Sequence, residues 1–151
     1  VSPDNWHPWL AVNLYGPLNT AYSVLPGMIQ RGRGGRLITI ISDAGRVGDP
    51  GLEVYSAAKA GAAGLTRALA KAVGRYAITA NNVAIAATRT PTTADGLADA
   101  ERLKKILSHY VIRRVGEPDD IAGAVIFLAS KAAAWVTGQT YPVNGGYSFN
   151  Q

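Results

Sequence analysis

Two adjoining stretches most constrain the fold of this chain. The first is Arg36-Leu-Ile-Thr-Ile-Ile-Ser42-Asp-Ala-Gly45, and the second runs from Tyr55 to about Val73 and is rich in Ala and Gly. A nearly unbroken apolar run at Leu37–Ile41 predicts a strand buried on both faces, the kind found in parallel sheets covered by helices. It ends in small residues suited to a tight loop. The second stretch predicts a long helix whose small side chains let it pack closely against another helix. Similar units recur along the chain. Pro8 to about Met28 predicts a long helix bent at Pro17, and Thr79–Ile85 predicts a second strand. Asp95 to about Tyr110 predicts a helix with an acidic start and a basic finish, as the helix dipole prefers. Pro118–Ser130 predicts a helix with proline near its N-terminus, and Gln139–Val143 a short last strand before the Asn144-Gly-Gly turn. Alternating strands and helices indicate an α/β fold with a parallel sheet and right-handed crossovers. Residues 1–151 read as a single domain, with no linker and no internal repeat.

The chemistry concentrates where that first strand meets the long helix. Tyr55 and Lys59 are four residues apart, hence on one helix face, and Ser42 lies thirteen residues before Tyr55 at the carboxyl end of the strand. Ligands of open α/β sheets bind outside the carboxyl ends of the strands. An ammonium beside a phenol favours the phenolate, the state that a general acid/base for alcohol or carbonyl chemistry uses. Asn13, in an otherwise apolar helical segment, carries an amide that needs partners if buried.

Five ordered motifs resemble the short-chain dehydrogenases/reductases of the oxoacyl-reductase type, over essentially the whole chain. They are Trp6 through Asn13-Leu-Tyr-Gly16, Ile41-Ser42-Asp-Ala-Gly45, Tyr55-x-x-x-Lys59-Ala-Gly61, Arg114 through Ser130, and Val136 through Gly146. The resemblance implies a three-layer Rossmann-type sheet of which only the last three strands are present. It also implies an NAD- or NADP-dependent interconversion of a carbonyl and a secondary alcohol. Tyr55 would transfer the proton, Ser42 would bind the carbonyl or alkoxide, Lys59 would hold the nicotinamide ribose, and Asn13 would hold a relay water. Tyr55, Lys59, Ile85, Ala86 and Thr90 fall on cofactor-binding positions. The family pattern has Pro-Gly where this chain has Ile85-Ala86, so a backbone strained at Ala86 or crowded against the nicotinamide is expected.

No glycine-rich turn opens a helix after a strand, the context a dinucleotide pyrophosphate requires. Arg31-Gly-Arg-Gly-Gly35 instead precedes a strand and reads as a surface turn. By the resemblance the chain corresponds to the catalytic C-terminal half of such an enzyme, without the dinucleotide-binding half. Leu37–Ile41 would then be an unpaired apolar edge that a partner chain, a further segment or self-association must cover.

Composition narrows the partners. No apolar run approaches the roughly 18 residues of a membrane span, and no charged-then-apolar leader opens the chain. With no cysteine, disulfides are excluded and a cytoplasmic location is expected. The net charge of +5 is carried on segments without interleaved aromatics, so nucleic acid is not an expected partner. In the oxoacyl reductases, positions matching Arg33 and Arg75 face an acidic acyl carrier, so a thioester-linked substrate is one expectation. The family also implies a homo-oligomer, a dimer or tetramer built on the helices Leu10–Met28 and Tyr55–Val73. A non-catalytic assembly module that keeps only this packing surface is the alternative. The segment Thr92–Val115 is expected to cover the substrate.

Overall fold

In the computed structural model, which describes residues 2–149, the Leu37–Ile41 run is the middle of β1 (Gly35–Ser42). β1 pairs in parallel with β2 (Ile78–Ile85), from Gly35 opposite Ile78 to Ser42 opposite Ile85. β2 pairs in parallel with β3 (Thr140–Val143), so β2 is central in a three-stranded sheet. Every residue of β2 except Ile85 is buried, as a central strand between two helical layers requires. Among the described residues no strand pairs with the outer edge of β1.

Alternation along the strands sends successive side chains to opposite layers. Leu37, Ile78 and Ala80 meet Ala21 and Leu25 of α2 (Gly16–Arg31) and Leu69 and Val73 of α4 (Glu53–Val73). Further along the same face, Ile41 and Ala84 pack against Ala62 and Ala63 of α4. On the other face Ile38, Val83 and Ile85 pack around Leu128 of α7 (Pro118–Ala129). The expected three layers are therefore present. Asn81, fully buried on β2, accepts the Gln139 N–H at 3.0 Å and donates to the Val136 carbonyl at 2.8 Å, clamping the approach to β3.

Two helices differ from the expectation. Instead of one helix bent at Pro17, the chain forms α1 (Trp6–Leu10), a π-helical turn over Ala11–Tyr15, and then α2. Pro17 sits in the first turn of α2, where its missing N–H matters least, and the irregularity falls in the residues before it. A proline ring clashes with the carbonyl four residues back, here Asn13, and the π turn spans that residue. The expected Asp95–Tyr110 helix divides into α5 (Ala94–Ala98) and α6 (Ala100–Leu107). Asp99 takes an extended conformation between them, and its carboxylate caps the Arg102 N–H at 2.9 Å. Aspartate competes for backbone donors and so favours this capping role over a helix interior. A short helix α3 (Ala44–Val47) follows β1. Among the described residues no helix is long and apolar enough to cross a membrane, and no group of acidic and histidine side chains could hold a metal ion.

Candidate active site

Ser42 is the last residue of β1, opposite Ile85 of β2. Its Oγ accepts the Ala44 N–H at 3.2 Å. A hydroxyl that accepts from the backbone still has its own proton to donate, so this turn-forming bond orients Ser42 without consuming its donor. Helix α3, just after Ser42, lies directly on α4. A Cβ added at Gly45 would stand 2.7 Å from Lys59 Cβ and 2.8 Å from the Ala60 nitrogen, so only glycine allows this approach.

Tyr55 and Lys59 occupy successive turns of α4. The Lys59 ammonium lies 5.7 Å from the centroid of the Tyr55 ring and donates to the Ile40 carbonyl at 3.2 Å. Burial pushes the Lys59 pKa below its ordinary value. An ammonium has three donors. With one on Ile40, two remain for a vicinal diol such as a ribose. The Trp9 ring meets Tyr55 edge-on, with centroids 5.6 Å apart. Asn13 lies in the π turn that packs on α4, and its Nδ2 donates to the Trp9 carbonyl at 3.0 Å. Leu14 of the same turn would be 3.0 Å from a Cβ at Gly61. Single-turn π segments are frequent at functional sites because they re-aim side chains.

A cavity of about 680 Å³ opens above these elements, with Ser42, Tyr55 and Trp9 on its wall. Ala86 lines it as well, and its φ lies outside the left-handed region, where Ala77 is the sole non-glycine residue described. The strain anticipated at Ala86 is therefore absent. Ile85 turns away from the cavity into the α7 layer, and its carbonyl accepts the Asp43 N–H. Thr90 does not line the cavity, whereas Thr92 and Thr93 do; the Thr90 hydroxyl lies 3.0 Å from that of Thr93. Asn13 and Lys59 are likewise not on the cavity wall.

The structure adds residues that the pattern did not single out. Asp43, 1% exposed, pairs with Arg46 and accepts a hydrogen bond from Asn144 Nδ2. Asn144 also donates to the Ser148 carbonyl at 2.9 Å, and Arg46 donates to the Ser148 hydroxyl at 2.7 Å. The tail after β3 is thereby tied to the residue next to Ser42. Tyr110 accepts the Ala87 N–H through its hydroxyl at 2.8 Å, and burial raises its pKa. The partners of Asp43 are Asn144, 101 residues away in sequence, and Arg46, three residues away, and the distant one leaves no local signal.

The family model described as enoyl-(acyl carrier protein) reductase matches residues 1–148. The chain belongs to the short-chain dehydrogenase/reductase family. It is 44% identical over 146 residues to the 3-oxoacyl-(acyl-carrier-protein) reductase FabG of Pseudomonas aeruginosa, covering 97% of this chain and 58% of that protein. It is 35% identical to the (3R)-3-hydroxyacyl-CoA dehydrogenase of Canis lupus familiaris, covering 97% of this chain and 56% of that protein. Among solved structures, a gluconate 5-dehydrogenase from Burkholderia cenocepacia in complex with NADP and tartrate matches with a TM-score of 0.93 at 35% identity. That match covers 97% of this chain and 57% of the other. The chain thus spans less than two thirds of the length of these relatives. The five motifs fall on α1 through the start of α2, on the end of β1 with α3, on α4, on α7 and the residues before it, and on β3 with its flanking turns.

Proposed function

We propose that this chain carries the proton-transfer half of an NAD- or NADP-dependent oxidoreductase that interconverts a carbonyl and a secondary alcohol. It acts together with protein outside residues 1–151 that binds the dinucleotide. The observation that carries the reading is the convergence of Ser42 and Tyr55 on one cavity, with the Lys59 ammonium over the Tyr55 ring. A nicotinamide bound there supplies or accepts the hydride. Tyr55 gives its phenolic proton to the carbonyl oxygen, or takes it from the alcohol in the reverse direction. Ser42 donates its remaining hydrogen bond to that oxygen and stabilises the charge that develops on it. Lys59 sets its charge beside the Tyr55 ring and would hold ribose hydroxyls with its free donors. Asn13 would order a water that connects Lys59 to solvent, and of the expected cofactor positions after β2 it is Ala86, not Thr90, that would border a nicotinamide in this cavity. The names of the relatives support a thioester-linked acyl substrate.

Exposed Val12, Tyr15, Leu18 and Tyr22 on the first helical run support self-association as a dimer or tetramer. That surface also supports the second reading, an assembly module without turnover. The test is Tyr55→Phe in the complete dinucleotide-binding protein, assayed by NADPH and NADH oxidation with acetoacetyl-CoA. The rate should fall by about 10²–10⁴-fold while oligomeric state is retained. An undiminished rate removes the proton-transfer role, and no rate in either protein favours the assembly module.

A further inference from the structure

We infer that the substrate carries a second, anionic group away from the reacting carbonyl, and that Arg102 and Lys105 of α6 hold it. The inference rests on the reading of Tyr55 and Ser42 as the reacting end of the cavity. Arg102 and Lys105 are three residues apart and so share one face of α6, and both line the cavity that Ser42 and Tyr55 line. Their place sets them apart: among the described residues, other cations without an ion pair, such as Arg33, Lys71 and Lys104, do not line this cavity. Arg46, Arg89 and Arg114 each reach a carboxylate, whereas among the described residues the side chains of Arg102 and Lys105 have no ion-pair or hydrogen-bond partner.

The acids nearby are committed or outnumbered. Asp99 caps the Arg102 backbone, and Asp43 is paired with Arg46. Asp49 also lines the cavity, and its field reaches Tyr110 and Tyr147. His109, one turn beyond Lys105, adds a third basic side chain to the same wall. The rest of the wall includes apolar Leu97, Ile106 and Trp9. A volume of about 680 Å³ is that of a pocket for a sizeable ligand, larger than a bare carbonyl group needs. The matching compound is an oxo- or hydroxyacyl chain whose apolar body ends in an anion. That anion is either the carboxylate of a free acid or a phosphate of a carrier thioester.

Calorimetric titration of the complete protein tests this without relying on turnover. The probes are 3-hydroxyhexanoate against its methyl ester, and the coenzyme A thioester against the uncharged pantetheine thioester. The anionic member of at least one pair should bind about tenfold more tightly, an effect in the range of two exposed ion pairs. The first pair assigns a carboxylate, and the second a carrier phosphate. Arg102→Gln with Lys105→Gln should erase the preference and leave the neutral member's affinity unchanged, while Lys104→Gln, outside the cavity, should change neither. The inference is overturned by absence of binding, by equal affinities within both pairs, or by a preference that survives the double variant or is eroded equally by Lys104→Gln. Tyr55→Phe separates the two claims. A retained charge preference with undiminished Tyr55→Phe turnover refutes only the catalytic reading. Lost turnover without any charge preference refutes only the anion site.

Discussion

The corner formed by β1, α3 and α4 and the segment formed by α5 and α6 face the same cavity but are built on opposite principles. In the corner, Ile41, Ala58 and Ala62 are essentially fully buried, and backbone passes so close to backbone that Gly45 admits no Cβ. Interiors of this density resist displacement. α6 buries no residue, and the segment is held by Leu97, Tyr110 and Val115. The groups proposed for proton transfer stand on the rigid side, and those proposed to choose the substrate stand on the loosely held side. A rigid element holds reacting atoms within tenths of an ångström, whereas a peripheral helix can change its side chains at little cost in stability.

The largest effect should come from breaking the corner's polar anchor. Asp43→Ala leaves Arg46 and Asn144 without their buried carboxylate. It should cost about 3 kcal/mol in a denaturant melt and lower turnover through the adjacent Ser42. A loss below 0.5 kcal/mol on the order of a surface change would show that this corner is no more constrained than α6. Gly45→Ala should cost about 1–3 kcal/mol, because its Cβ meets α4 backbone that cannot move aside. It should also disturb the spacing of Ser42 and Lys59, read as a drop in kcat larger than the rise in KM.

On the other side, Asp99→Ala removes the cap of α6 at about 1 kcal/mol, confined to that helix. Hydrogen exchange should quicken in residues 100–107 while the global melting temperature stays within a degree or so. A global shift as large as that of Gly45→Ala would join α6 to the rigid unit.

The smallest effect concerns Lys59. Burial holds its folded pKa below the unfolded value, so the folded chain carries the cost of a desolvated charge at neutral pH. The unfolded chain binds more protons between the two pKa values, and stability therefore rises with pH through that window. Lys59→Met should melt slightly higher at pH 7 and lack the rise seen in the parent towards pH 10. Scans are best ended there, since the raised Tyr110 and Tyr147 pKa values place their loss of stability above the ordinary tyrosine value.

Most of the architecture was legible because it is local. The apolar run at Leu37–Ile41 and the small-residue helix after Tyr55 both formed where their patterns place them. The acidic start and basic finish of Asp95–Tyr110 predict one helix, but the capping preference of the Asp99 carboxylate divides it into α5 and α6. The bend before Pro17 was anticipated, but its form, a π turn spanning Asn13, depends on packing against α4. Ser42, Tyr55 and Lys59 could be paired from spacing and strand polarity. The Asp43–Asn144 bond and the unpaired cations of α6 could not be.

Local pattern alone accounts for the alternation of strands and helices, the helical spacing of Tyr55 and Lys59, and the family to which those motifs point. These depend on periodicity and on residues a few positions apart. It took the packed chain to show that the tail locks the turn beside Ser42, that Ala86 is unstrained, and that Arg102 and Lys105 share a cavity with Tyr55. The first and the last of these join segments far apart in the chain, and side-chain contacts at such separations are set by packing of the whole sheet rather than by any local preference.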